Sequence, residues 1–294
     1  MDYSIDSTTR EVKNCLHMLL SGHNADTSIL NSAMRYALLG KAKRSRALYV
    51  MFTTLHFGGT PTHALRSASA LEMIHAASLI FDDMPSMDNS EFRRGQAATH
   101  IAYSEATAML TGIGLMNLAF GVVSEDRSLP DDKRTRIISI LSQSIGTNGL
   151  IGGQQDDLDS VNQDLTSDEI LKIYERKTSA LFKAAFEIGG IIAGTDEENL
   201  PVLRNFGNRL GIIFQILDDL SDAFAAEDKT LKTVRLDKDK PNLISGLGEQ
   251  DAIDKSNQMM TEIKSEAARL FDNNSTLTNY TTHLLQILHQ RLAA

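Results

Sequence analysis

The stretch LIFDDMPSMDNSEFRRG, residues 79–95, places three aspartates and two adjacent arginines close together along the chain: Asp82, Asp83, Asp88, Arg93 and Arg94. Carboxylates at contact distance repel one another unless a cation lies between them. Hard oxygen ligands in an open arrangement suit Mg²⁺ that is also bound by water and phosphate oxygens. Adjacent guanidinium groups bind phosphate oxygens in pairs. The segment therefore predicts a magnesium site beside a phosphate site, and the alternative is a solvated acidic turn with surface ion pairs.

The spacing of this first acidic cluster requires a turn of the backbone. Asp82 and Asp88 are six residues apart and would point about 120° apart on an unbroken helix. Pro85 and the Ser-Met-Asp-Asn that follows it favour a helix that ends near Met84. We therefore expect the chain to fold back and to bring Asp88 toward Asp82.

A second acidic cluster lies far downstream in FQILDDLSDAF, which contains Asp218, Asp219 and Asp222. On a helix, Asp218 and Asp222 are four residues apart and share a face with Gln215, one turn earlier. Stacked carboxylates without a nearby base would destabilise such a helix. Two clusters that each close an apolar helical run favour metal binding more strongly than either alone, and two such clusters can face each other across a cavity.

The elements that must position these residues are predicted to be helices. The five prolines lie at or beside the boundaries of apolar-periodic stretches, and no segment alternates strictly as a half-buried strand does. The predicted helices lie at residues 8–21, 28–39, 44–57, 62–83, 103–124, 131–146, 167–193, 197–227, 249–271 and 276–292. No linker, repeat or charge block divides the chain, so we expect one all-α domain over residues 1–294 with site residues projecting into a bundle interior.

Composition narrows the class of protein. The 294 residues include 38 acidic and 29 basic ones, a formal net charge of −9, which argues against general nucleic-acid binding. The single cysteine, Cys15, excludes an intramolecular disulfide and suits a reducing compartment. The N-terminus lacks the pattern of a secretory signal, and no run approaches the roughly 20 apolar residues of a membrane span. We expect a cytoplasmic protein without an integral membrane segment.

The segments DDMPSMD, followed by RRG, and FQILDDLSD resemble the two aspartate-rich motifs of the trans-isoprenyl diphosphate synthases. The resemblance covers nearly the whole chain and is closest to bacterial geranylgeranyl diphosphate synthases. It implies an all-helical bundle of the isoprenoid synthase type, usually a homodimer, with the motifs on opposite walls of a deep central cavity. It also implies a Mg²⁺-dependent transferase that condenses isopentenyl diphosphate with dimethylallyl, geranyl or farnesyl diphosphate.

The resemblance also implies roles for individual residues. GKAKRSR is similar to the family's GGKRxRP motif and places Lys43 and Arg46, together with His75 and Arg94, at the diphosphate of isopentenyl diphosphate, while Arg93 goes to the allylic diphosphate. The other residues expected around the allylic diphosphate are Lys177, Thr178, Gln215, Lys232 and Lys240. The residues expected to act directly in catalysis are Asp82, Asp83, Asp88, Asp218, Asp219 and Lys177. GGQQDDL also matches a family segment through Gln154 and Asp157, and we expect a structural or supporting role for the pair Asp156 and Asp157.

Two small residues before the first aspartate bear on product length. Helical geometry places Ser78 one turn before Asp82 and about 40° from it. The resemblance points instead to Ala77, the fifth residue before that aspartate. Since both are small, we expect a twenty-carbon product and a geranylgeranyl diphosphate synthase.

Three alternatives remain open at this point. A farnesyl diphosphate synthase would follow if bulky residues on other helices closed the cavity. A terpene cyclase would be expected to carry an Asn/Asp-Ser/Thr-Glu motif in place of DDLSD. A non-catalytic subunit of a heteromeric prenyltransferase would commonly lose acidic motifs, and both are intact here.

Overall fold

The computed structural model describes residues 3–21, 28–227 and 241–290, apart from the side chains of residues 222 and 224–227. These residues form helices and one short antiparallel hairpin, which confirms the all-α prediction. The helices are α1 (Ile5–Ser21), α2 (Ile29–Leu39), α3 (Ser45–His56), α4 (Pro61–Asp82), α5 (Thr99–Ala102), α6 (Glu105–Ser124), α7 (Asp131–Ile145), α8 (Leu150–Asp159), α9 (Ser167–Lys177), α10 (Ser179–Ala193), α11 (Asn199–Glu227), α12 (Leu243–Leu247), α13 (Glu249–Phe271) and α14 (Thr276–Gln290). The strands are β1 (Phe92–Arg93) and β2 (Gln96–Ala97).

The chain divides into two compact units. Unit 1 comprises Met1–Leu141 with Ile188–Gly194, and unit 2 comprises Ser142–Glu187 with Thr195–Ala294. The first acidic cluster belongs to unit 1 and the second to unit 2. The single-domain organisation and the central cavity remain predictions.

Unit 1 is organised around α4, which packs most extensively against α6 and α3. Small residues recur along α4, and Ala64, Ala68 and Ala77 are completely buried. A helix that is buried on most of its circumference belongs to the core. The core therefore fixes the direction of α4, and Asp82 lies at its C-terminal end.

Within the described part of the chain, α6 is long and apolar enough to cross a membrane by length and composition, with 39% of its most apolar window buried. The expectation that no stretch approaches the length of a membrane span therefore does not hold for α6 on composition alone. One side of α6 packs on α4 and α2, whereas Met109, Leu110 and Ile113 are 47, 57 and 59% exposed. Core helices of soluble proteins pass the same test of length and composition.

Unit 2 packs α9 against α8 and α11, and packs α13 against α11 and α14. An aromatic cluster forms part of its core: Phe206 meets Phe186 and Phe271 edge-on, with ring centroids 5.1 and 5.0 Å apart. Such edge-on pairs add stability beyond the area that they bury. The core holds α11 in place, and α11 carries the second acidic cluster.

Several local elements differ from the sequence prediction, including the short helices α5 and α12, which were not predicted. The helix predicted over residues 167–193 breaks at Thr178, so α9 and α10 are separate. The helix α8 was not predicted, because its Gly-Gly pair is typical of a turn. The structure explains the second glycine by packing: a Cβ on Gly153 would overlap the backbone of α9 at Lys177. The strands β1 and β2 were also missed, because two residues are too few to show alternation.

Candidate active site

The first acidic cluster is shaped by the end of α4. The backbone N–H of Asp88 donates to the carbonyl of Asp82 at 2.9 Å, and that of Asn89 donates to Met84 at 3.0 Å. Asn89 has a φ of 47°, a left-handed conformation that asparagine tolerates better than most residues. The predicted turn is confirmed, although the helix ends at Asp82 instead of near Met84. Asp82 and Asp88 are both partly exposed on this loop.

Asp83 points into the protein and is only 2% exposed. Its Oδ1 accepts hydrogen bonds from Nε of Arg93 at 2.9 Å and from Nη2 of the same residue. Burial raises the pKa of Asp83, and the hydrogen bond and charge of Arg93 partly offset this. Asp83 therefore serves as the anchor of Arg93, while Asp82 and Asp88 are the more accessible carboxylates of the cluster.

The two arginines are presented by a tight hairpin. Phe92 pairs with Ala97, and the two-residue loop Arg94-Gly95 has φ values of 56° and 80°. Two successive positive φ angles define the type I′ turn, which matches the twist of paired strands and favours glycine. The hydroxyl of Tyr36 donates to the carbonyl of Ala97 at 2.7 Å and ties the hairpin to α2.

A cationic cluster forms around His75, about two turns before Asp82 on α4. Its Nε2 lies 3.1 Å from Nη1 of Arg46 and 3.3 Å from Nη2 of Arg94. Burial lowers the pKa of His75 well below its ordinary value, and the charges of Arg46 and Arg94 lower it further. The imidazole is therefore neutral and accepts hydrogen bonds between two guanidinium groups. Sequence reasoning predicted these three residues as one binding group, and the structure brings them together.

Arg46 is positioned by a buried ion pair that sequence reasoning missed. Arg44 adopts a φ of 56° at the start of α3, is 6% exposed, and lies 3.4 Å from the carboxylate of Glu72 on α4. Glu72 also accepts from the backbone N–H of Ala47 at 3.2 Å. An acidic residue within the apolar run of α4 was the available signal, since buried carboxylates require a partner. Lys43 lies on the same loop with its side chain exposed.

The second acidic cluster is held by a chain of hydrogen bonds in unit 2. Nε2 of Gln215 donates to Oδ1 of Asp219 at 2.8 Å, and the hydroxyl of Thr178 donates to Oε1 of Gln215 at 2.6 Å. The other carboxylate oxygen, Oδ2, accepts from the hydroxyl of Tyr174. Gln215 therefore contacts Asp219, one turn later, and Tyr174 is a contact that the sequence did not indicate.

Two salt bridges join α8 to the end of α9. Nζ of Lys177 lies 2.7 Å from Oδ2 of Asp157, and Arg176 pairs with Asp156. Arg176 also donates to the carbonyl of Thr147 at 2.7 Å. Asp157 thus orients the predicted substrate-binding lysine, which agrees with the supporting role expected for it. Gln154, on the same helix, is buried.

Three predicted site residues cannot be placed by side-chain geometry. Asp222 lies on α11 one turn beyond Asp218, but its side chain is outside the described atoms. Lys232 and Lys240 lie outside the described residues. Their assignment to the allylic diphosphate stays a prediction.

Among the described residues, no group of three or more His, Cys, Asp or Glu side chains is arranged so that it could hold a metal ion. The donor chemistry of each cluster, taken by itself, still fits Mg²⁺, because Asp82 and Asp88 are partly exposed carboxylates of the first cluster and Asp218 is one of the second. An open set of hard oxygen donors suits a cation whose remaining ligands are water and phosphate. Protein donors hold Oδ1 of Asp83 and both carboxylate oxygens of Asp219.

Comparison with known proteins identifies the family of the chain and several relatives. The model of the polyprenyl synthetase family matches residues 27–269. The chain is 37% identical over 232 residues to the farnesyl diphosphate synthase of Bacillus subtilis (strain 168), across 76% of this chain and 78% of that one. It is 35% identical over 250 residues to the geranylgeranyl diphosphate synthase of Cyanophora paradoxa, across 84% and 83%. A crystal structure of the geranyltransferase from Helicobacter pylori complexed with magnesium and isoprenyl diphosphate is 28% identical, with a TM-score of 0.85 over 99% of each chain.

Replacing His75 with glutamine should change the pH dependence of stability. The folded protein keeps His75 neutral below its ordinary pKa of 6.5, whereas the unfolded chain takes up a proton there. The unfolded state therefore binds more protons, and the stability of the wild-type protein falls as the pH is lowered. We expect the melting temperature of His75→Gln to fall less than that of the wild-type protein between about pH 7.5 and pH 5.5.

His63→Gln is the matched control, because His63 is an exposed histidine on the same helix. It should keep the wild-type pH dependence. Parallel melting curves for the wild-type protein and His75→Gln across this range would contradict the neutral, guanidinium-flanked histidine.

Proposed function

The chain belongs to the polyprenyl synthetase family and is a prenyltransferase of the farnesyl and geranylgeranyl diphosphate synthase type, and from this premise we propose that its product is geranylgeranyl diphosphate. The reaction is a head-to-tail condensation of isopentenyl diphosphate with a shorter allylic diphosphate. Relatives carry both the farnesyl and the geranylgeranyl names. The names of the relatives therefore do not determine the product length, and it must be inferred from residues of this chain.

The observation that supports a long product is the size of two residues on α4. Ala77 and Ser78 precede Asp82 by about one turn and are 0 and 7% exposed. The hydroxyl of Ser78 donates to the carbonyl of His75 at 2.9 Å, so it is satisfied within its own helix. Neither side chain is long enough to block a hydrocarbon tail that extends along α4 from the charged end. A farnesyl product would require a bulky residue on another helix that blocks the path of the hydrocarbon tail.

The proposed chemistry needs no nucleophilic side chain. The C–O bond of the allylic diphosphate breaks and releases diphosphate, and the double bond of isopentenyl diphosphate attacks the resulting allylic cation. The new cation then loses a proton to the released diphosphate, which leaves a product five carbons longer. Mg²⁺ held at the first cluster by Asp82 and Asp88, and at the second cluster by Asp218, would neutralise the charge that develops on the departing diphosphate. We propose that Lys177, oriented by Asp157, adds fixed positive charge for the same purpose.

The second substrate is proposed to bind the cationic cluster around His75. Arg46 and Arg94 lie on either side of one neutral imidazole, so their mutual repulsion is relieved when a diphosphate binds between them. Guanidinium groups match phosphate oxygens in geometry as well as in charge. This contact requires no metal and leaves the isoprenyl part of isopentenyl diphosphate available for attack.

We propose further that the protein is a cytoplasmic homodimer in which a second copy covers the exposed side of α6. Met109, Leu110 and Ile113 form an apolar patch there, and contiguous exposed apolar residues mark interaction surfaces. A partner chain would bury this patch without a membrane.

The experiment that tests the function is condensation by the purified protein. It is incubated with Mg²⁺, isopentenyl diphosphate and, separately, the five-, ten- and fifteen-carbon allylic diphosphates, and products are identified by mass spectrometry. We expect a twenty-carbon product. A product that stops at fifteen carbons would contradict the proposed length, and no condensation with any primer by folded protein would contradict the proposed synthase activity.

Placing a phenylalanine at either small position should shorten the product. Ala77→Phe and Ser78→Phe each introduce an aromatic ring beside the expected path of the tail, so at least one of them should stop at fifteen carbons or fewer. Product length is measured by the same assay, and circular dichroism checks that the variants fold. Twenty-carbon products from both folded variants would show that α4 does not limit the chain at these positions.

A further inference from the structure

Tyr174 lies at the meeting point of three elements of unit 2. It belongs to α9 and is 7% exposed. Its hydroxyl donates to Oδ2 of Asp219 on α11 and accepts from the backbone N–H of Leu243, at the start of α12, at 3.0 Å. Both the donor and the acceptor capacity of this buried hydroxyl are therefore used. Burial and the charge of Asp219 raise the pKa of Tyr174, so the hydroxyl keeps its proton.

The carboxylate of Asp219 is held on both oxygens. Tyr174 occupies Oδ2, and Gln215 occupies Oδ1 at 2.8 Å. Gln215 is itself fixed by Thr178 at 2.6 Å. The donors come from α9 and from α11 itself, so the carboxylate plane cannot rotate without breaking at least one bond. Loss of either donor, Tyr174 or Gln215, would allow the carboxylate of Asp219 to rotate.

We propose that Tyr174 is a positioning residue for the second acidic cluster and that it couples the orientation of Asp219 to the start of α12. The proposal rests on the proposed function, because it assigns the cluster to Mg²⁺ and the allylic diphosphate. Asp219 then acts as an anchor that fixes α11 beside α9, and the proposal assigns the Mg²⁺ contact of the described cluster to Asp218. Residues that orient ligands of this kind typically change metal affinity or activity 10- to 100-fold when they are removed.

The main variant is Tyr174→Phe, which keeps the ring and removes the hydroxyl. We expect the Mg²⁺ concentration for half-maximal activity and the KM for the allylic diphosphate to rise by about tenfold or more. The KM for isopentenyl diphosphate should stay unchanged, because its proposed contacts at Arg46, His75 and Arg94 are in unit 1. Tyr280→Phe, at a buried tyrosine of α14 in unit 2, is the matched control and should leave all three values unchanged.

A second readout does not depend on turnover. The melting temperatures of wild-type protein, Tyr174→Phe and Tyr280→Phe are measured with and without Mg²⁺ and inorganic diphosphate. We expect the ligands to stabilise the wild-type protein and Tyr280→Phe equally, and to stabilise Tyr174→Phe less. A wild-type protein that is stabilised but forms no product would contradict the proposed function while leaving the role of Tyr174 testable.

A double-mutant cycle tests whether Tyr174 acts through Asp219. If it does, the double variant Tyr174→Phe/Asp219→Asn should reach half-maximal activity at the same Mg²⁺ concentration as the single variant Asp219→Asn. Independent, multiplied losses would overturn the proposal. So would a Tyr174→Phe protein that melts at a lower temperature but keeps the wild-type Mg²⁺ requirement and allylic KM, because that result assigns the hydroxyl a purely structural role.

If Tyr174→Phe does not fold, Asp219→Asn and Asp218→Asn provide the test with the tyrosine in place. An anchoring Asp219 predicts that Asp218→Asn raises the Mg²⁺ requirement more than Asp219→Asn does. The reverse order would overturn the assignment of Asp219 as an anchor held by Tyr174.

Discussion

Repulsion between like charges at short range is the constraint on which the site depends. The chain concentrates carboxylates in two segments and guanidinium groups in a third, and none of these groups is stable at close range without compensation. In each described cluster the compensation is local. Asp83 is neutralised by Arg93, and a neutral His75 separates Arg46 from Arg94. In each cluster, the charged groups that stay accessible are the ones that a substrate or a metal can neutralise.

The same requirement for local compensation of charge explains why site residues lie where helices end. Asp82 closes α4, and the break at Thr178 gives α9 an end that carries Lys177. A helix end frees backbone groups and lets neighbouring side chains diverge from helical spacing. The buried interiors of α4 and α11 hold these ends still, because their core residues are fixed by packing on several sides. A rigid core with functional groups at its helix termini suits chemistry that depends on positioning and electrostatics.

The sequence predicted much of this arrangement, and its failures have a common physical origin. The fold-back of Asp88 followed from local turn chemistry, and the group of Arg46, His75 and Arg94 followed from resemblance. Contacts between distant parts of the chain carry no local signature. Tyr174 meets Asp219 across 45 residues of sequence, and nothing in the spacing of α9 marks it as different from a core tyrosine. The helix α8 was missed for the same reason, since its glycines are explained only by the approach of α9.

In the proposed function, one diphosphate is bound directly by protein cations and the other through Mg²⁺. Isothermal titration calorimetry of isopentenyl diphosphate, with and without Mg²⁺, tests this most directly, with an allylic thio-diphosphate that cannot ionise readily as the comparison ligand. This division between the two diphosphates predicts that isopentenyl diphosphate binds with similar affinity in both conditions and that the allylic analogue binds tightly only with Mg²⁺. Equal dependence of the two ligands on Mg²⁺ would contradict it.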